Sequence, residues 1–122
     1  MPVKQDRIGN YSIEALEKRL IDLPKEIYDQ SIISIQKKEM WLRAKAEYDL
    51  GMAKTSSMVK LQNAAMTQTD IKAKAIEDNY QKRIDMIVAE SEYKRSIAEM
   101  RKLKDGLESI QQLSYLRRIY IT

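Results

Sequence analysis

From residue 25 to residue 122 the chain contains no proline and two glycines, Gly51 and Gly106. Proline and glycine are the strongest local breaks in a backbone, so this long stretch has few places to turn. Long helices are the element that tolerates such a sequence. Composition agrees: a third of the residues are charged, phenylalanine is absent, and Ala, Glu, Lys, Gln, Leu, Met and Ile dominate.

Residues 1–11 carry Pro2 and Gly9 without periodicity and are expected to form a flexible N-terminal arm. Ser12 can cap a short helix, about 12–22, with Ile13, Leu16, Leu20 and Leu23 on one face. Pro24 lacks an N–H and is expected to break the chain there and to open the next helix, about 24–65. That helix carries two stripes. One runs through Tyr28, Ile32, Ile35, Leu42, Ala46 and Ala53, interrupted by Glu39; the other runs through Trp41, Tyr48, Met52, Val59 and Met66. Stripes on different sides imply more than one neighbour. Gly51 costs such a helix about 1 kcal/mol relative to Ala and so suggests a close crossing or a bend.

The segment MTQTDI, residues 66–71, marks the next start. Thr67 can cap, Asp70 stands three residues later near the positive helix end, and Met66 with Ile71 has the spacing of a hydrophobic staple. The final helix, about 68–119, carries Ile76, Tyr80, Ile84 and Ile87, then Tyr93, Ile97, Met100, Leu103, Leu107, Ile110 and Leu113. The spacing through Leu103, Leu107 and Ile110 predicts continuity across Gly106. Two helices of about 42 and 50 residues would measure about 63 and 75 Å at 1.5 Å per residue. The expected fold is all-α: a long antiparallel, coiled-coil-like helical hairpin with a short N-terminal helix, one domain over 12–122. Apolar positions beyond a single stripe predict self-association.

The chemistry is bounded by what the chain lacks. With no cysteine and no histidine, disulfides, thiol nucleophiles and imidazole bases are excluded and a transition-metal site is disfavoured. Carboxylate pairs such as Glu90 with Glu92, or Asp78 with Asp85, have no companion base. The expectation is a non-enzymatic protein with no cofactor and no metal. The longest uncharged run, Leu61 to Thr69, is far short of the roughly 20 residues that span a bilayer, so no membrane partner is expected. The N-terminus does not read as a signal peptide, and an intracellular, cytoplasmic setting is expected.

The net charge of +4 divides evenly between 1–66 and 67–122, each with 11 basic and 9 acidic residues, which gives no tail-like concentration of charge. Trp41, Tyr48, Met52, Val59, Tyr93, Ile97, Met100, Leu107 and Ile110 are the expected hairpin or oligomer interface. Lys37, Lys38 and Arg43 around Trp41, with Arg117, Arg118 and Tyr120 at the other end, are candidate partner or nucleic-acid contacts. For Trp41 the packing reading is favoured about four to one, because Glu39, Glu47 and Asp49 dilute the cations. Arg117 and Arg118 also suit a helix C-terminus without any ligand. Seven tyrosines and no phenylalanine fit half-buried, wet-edged surfaces, and Tyr115 and Tyr120 are the ones expected to meet a partner.

With EYDLGMAK at 47–54, the cap at Thr67 and LESIQQLSYLRR at 107–118, the chain resembles the small all-helical hairpin proteins encoded near phage and prophage recombination and replication genes. The resemblance implies an accessory role beside a single-strand annealing or replication protein, through contact with that protein or with single-stranded DNA, in the host cytoplasm. The expected partners are a second copy, a protein, and single-stranded nucleic acid. The rival readings are a scaffolding coiled coil without nucleic-acid contact and an inhibitor of a host protein.

Overall fold

The computed structural model describes residues 12–121, and the side chains of 117 and 119–121 lie outside that description. It holds three helices: α1 (Ile13–Gln62), α2 (Gln68–Asp78) and α3 (Tyr80–Ile121). No strand occurs among the described residues, and the two long helices pack against each other.

Ser12 opens α1 as expected from the sequence: its Oγ accepts from the Ala15 N–H at 3.0 Å and its carbonyl from the Leu16 N–H at 3.1 Å. The expected break at Pro24 is absent. Pro24 lies inside α1 and is exposed, so a helix of 50 residues runs where two were expected. The missing proline N–H costs roughly 3 kcal/mol in a helix interior. Packing opposes that cost, because Leu16, Leu20, Leu23 and Ile27 keep one phase across the proline and all are buried or half-buried. A break would have thrown Ile27 out of line with the three leucines.

The helix start at Thr67 is present. Thr67 has extended backbone angles, φ −69° and ψ 158°, and its Oγ1 accepts from the Asp70 N–H at 3.2 Å. The helix expected to run unbroken from 68 is interrupted at Asn79, with φ −111° and ψ 23°. The interruption has a local cause. Both the Asn79 backbone N–H and its Nδ2 donate to the Ala75 carbonyl, at 3.1 and 2.8 Å, so the side chain competes for a helical acceptor. Helical bonding resumes with the Arg83 N–H donating to the Asn79 carbonyl at 3.0 Å. Neither Gly51 nor Gly106 breaks its helix.

The chain divides into two compact units, Met1–Ile33 with Ser96–Thr122, and Ser34–Arg95. In the first unit Leu16, Leu23 and Ile110 form a buried cluster, with Leu20, Leu103, Leu107 and Leu113 packed against it. Gln30 lies beside the main chain of the other helix, its Nε2 donating to the Ser96 carbonyl at 3.1 Å. In the second unit the buried apolar residues are Val59, Ile71 and Ala75. Gly51, Ser34 and Asn79 are also buried in this unit.

Candidate functional site

Along α1 the shielded positions recur every three or four residues, as a helix facing one neighbour requires. In the second unit they are Ser34, Lys37, Trp41, Ala44, Tyr48, Gly51 and Thr55. Most of these are polar, small or aromatic, so the seam is held by specific contacts rather than by aliphatic packing.

Three contacts define it. Lys37 Nζ lies 3.2 Å from Glu92 Oε2, with both side chains partly shielded. One turn on, the rings of Trp41 and Tyr93 stack with centroids 5.5 Å apart and planes 16° from parallel, a favourable offset geometry for aromatic pairs. Further along, Asn79 Nδ2 donates to Thr55 Oγ1 at 2.9 Å. Gly51 faces the same amide. A Cβ there would collide with Asn79 Oδ1 and come within 3.2 Å of Lys82 Nζ, so this helical glycine answers to a close approach and not to a bend. The Ser34 Oγ, also in this seam, is buried without a protein partner, as is Ser114 Oγ in the first unit.

The sequence-derived interface residues fall into both units. Trp41, Tyr48, Met52 and Tyr93 are half-buried and Val59 is buried in the second; Ile97, Met100 and Leu107 are half-buried and Ile110 is buried in the first. Lys37 is engaged by Glu92, whereas Lys38 and Arg43 are exposed. Trp41 is half-buried and stacks one ring face on Tyr93, the packing role favoured from the sequence. Arg118 is exposed on α3; the side chains of Arg117 and Tyr120 lie outside the described residues.

The other sequence stripe has a different fate. Tyr28, Ile32, Ile35, Leu42, Ala46 and Ala53 are all exposed, as is Ile21 two turns before them. Ile21 retains 73%, Tyr28 66% and Ile35 60% of their accessible surface, values unusual for large apolar side chains set at regular helical spacing. Sequence reading missed the seam roles of Gln30, Ser34, Thr55 and Asn79, and for Gly51 left a close crossing and a bend as alternatives, of which the structure shows the close approach. A signal existed for some of them, since Gln30, Ser34, Gly51 and Thr55 continue the three and four spacing set by Leu16, Leu20 and Leu23.

Among the described residues no group of three or more acidic, histidine or cysteine side chains is placed to hold a metal ion. No described helix is long and apolar enough to cross a membrane. Compared with known proteins, the chain matches no family model, no curated protein and no solved structure.

Proposed function

We propose that this is a non-enzymatic helical binding and assembly protein that associates with itself, its two long helices forming an antiparallel hairpin. The observation that carries the reading is the exposed stripe on α1. Large apolar residues at Ile21, Tyr28, Ile32, Ile35 and Leu42 repeat at helical spacing on a surface that the described residues leave uncovered. A contact surface, rather than a pocket, is what the fold offers a partner. The hairpin direction is supported separately in each unit, by Gln30 against Ser96 with Leu16 and Leu23 near Ile110, and by Lys37 against Glu92 with Thr55 against Asn79.

A role beside phage recombination or replication proteins, implied by the resemblance in 47–54 and 107–118, fits this reading through protein contact. Contact with single-stranded DNA has less support, because Trp41 and Lys37 are occupied within the fold. Sedimentation equilibrium over a wide concentration range tests the reading. The mass should rise reversibly above the 14.3 kDa of one chain. A single 14.3 kDa species throughout, with helicity intact, would remove self-association.

A further inference from the structure

Within the second unit, α3 has two faces of different character. Its shielded residues are Asn79 at the helix entry, then Met86, Ala89 and Tyr93, and of these Asn79 bonds Thr55 of α1 while Tyr93 stacks on Trp41. On the opposite side, at the helical spacing 80, 84, 87 and 91, stand Tyr80, Ile84, Ile87 and Ser91. Tyr80 keeps 62% of its accessible surface, Ile87 and Ser91 are exposed, and Ile84 is half-buried. No charge interrupts these four positions. The two edges of the strip differ, with Arg83 and Glu90 along one and Gln81 and the exposed Val88 along the other.

Resting on the self-association proposed above and giving it a contact on α3, we propose that this face binds the same face of a second copy in antiparallel orientation, with Ile84 of one copy opposite Ile87 of the other. The strip reads as a heptad seam, with 84 and 91 at a positions and 80 and 87 at d positions. Ile84 against Ile87 then sets Tyr80 against Ser91, so that large meets small on either side of an isoleucine centre. At the edges it sets Arg83 against Glu90 and Gln81 against Val88, and the two-fold axis repeats each pair. Glu90 also holds Lys94 of its own chain at 3.0 Å, and a carboxylate has room for both cations. Charge selects the register. Sliding the copies by one heptad puts Arg83 beside its own counterpart, or, in the other direction, puts Glu90 beside its own counterpart and Ile84 against Lys94. A parallel pairing brings Glu90 near Arg95 but sets Arg83 against Val88 and stacks Tyr80 on Tyr80 and Ser91 on Ser91.

Three turns of paired helix make a small interface, so a dissociation constant of about 0.1 mM is expected and the tests belong above that concentration. Since the chain has no cysteine, single introduced thiols report the geometry without background. In the proposed pairing Val88 lies on the same edge as its counterpart and about 8 Å from it along the axis, the rise of five helical residues at 1.5 Å each. Arg95 on that edge lies about 28 Å from its counterpart, the rise of 19 residues. A bis-maleimide with a short spacer should therefore convert Val88→Cys to a covalent dimer and leave Arg95→Cys uncoupled, whereas a parallel pair would couple both. Arg83→Glu and Glu90→Arg should each weaken association about tenfold, and the double variant should recover most of the loss, because the pair is restored with reversed sign.

Circular dichroism on every variant separates loss of contact from loss of fold. An oligomer in which Val88→Cys stays single, Arg95→Cys couples as fast as Val88→Cys, or the double charge variant is no better than the single ones would overturn this pairing and leave self-association standing, with the stripe on α1 as its seat. A mass of 14.3 kDa at all concentrations would overturn both.

Discussion

The two units use the same spacing on α1 and fill it with different chemistry. In the first, the shielded positions are Leu16, Leu20, Leu23 and Ile27, and the three leucines join Leu103, Leu107 and Ile110 of α3 in an aliphatic core. In the second they are Ser34, Lys37, Trp41, Tyr48, Gly51 and Thr55, answered by Glu92, Tyr93 and Asn79. Aliphatic layers are interchangeable, since one leucine accepts another at a shifted register with little loss. A glycine that alone accommodates Asn79, or an amide that needs Thr55, accepts one alignment. The contrast predicts that the first unit contributes most to stability and the second most to registry, the role a polar residue has when it interrupts a coiled-coil seam.

The sharpest way to break that contrast is in the aliphatic core. Leu23 is 1% exposed, and Leu23→Ala removes its side chain from the centre of the first unit. A loss of about 3 kcal/mol in urea-induced unfolding is expected, transfer and cavity terms together. Protein concentration must be held constant, because the proposed self-association would contribute to apparent stability. A loss below about 1 kcal/mol would mean that the cluster collapses onto the gap and that the aliphatic seam is not the main source of stability.

Glycine sharpens the contrast, because one substitution should have opposite signs in the two units. Gly51→Ala gains about 1 kcal/mol of helix propensity but drives a methyl group into Asn79, whose amide is held by Thr55 and Ala75; a net loss of about 1–2 kcal/mol is expected. Pairing it with Asn79→Ala should recover part of the loss, since the obstructing amide is gone. Gly106→Ala meets nothing within 4 Å and should stabilise by about 0.5–1 kcal/mol. Equal effects at the two positions would show that propensity alone governs both.

These same residues mark how far the sequence could be read. The helices, the Ser12 cap and the start at Thr67 follow from local chemistry, in which each signal lies within a few residues of its partner. Pro24 misled because its local cost is plain, while the offsetting burial of Leu23 depends on α3, more than 70 residues away. Asn79 was illegible for a similar reason: nothing in its neighbours announces a bond to Thr55, 24 residues earlier. Of the two apolar stripes on α1, the one with Trp41 and Tyr48 is shielded and the one with Tyr28 and Leu42 is exposed. Both stripes have helical period, and period alone does not say which side meets α3.

The smallest expected effect bears on the contrast most directly. Lys37 and Glu92 are each more than a third exposed, so their attraction is screened by water, and such pairs contribute about 0.5 kcal/mol. Lys37→Met keeps the aliphatic stem in the seam and leaves Glu92 able to hydrate. Stability should therefore shift by no more than about 0.5 kcal/mol at low salt, and the difference between variant and parent should vanish in molar salt. If the second unit supplies registry, the substitution should tell elsewhere: hydrogen exchange of the 34–48 backbone should quicken while global stability hardly moves, because a methionine no longer selects Glu92 as its neighbour. A loss of several kcal/mol would show instead that the pair is desolvated in solution and that the second unit, too, is held together mainly by its seam.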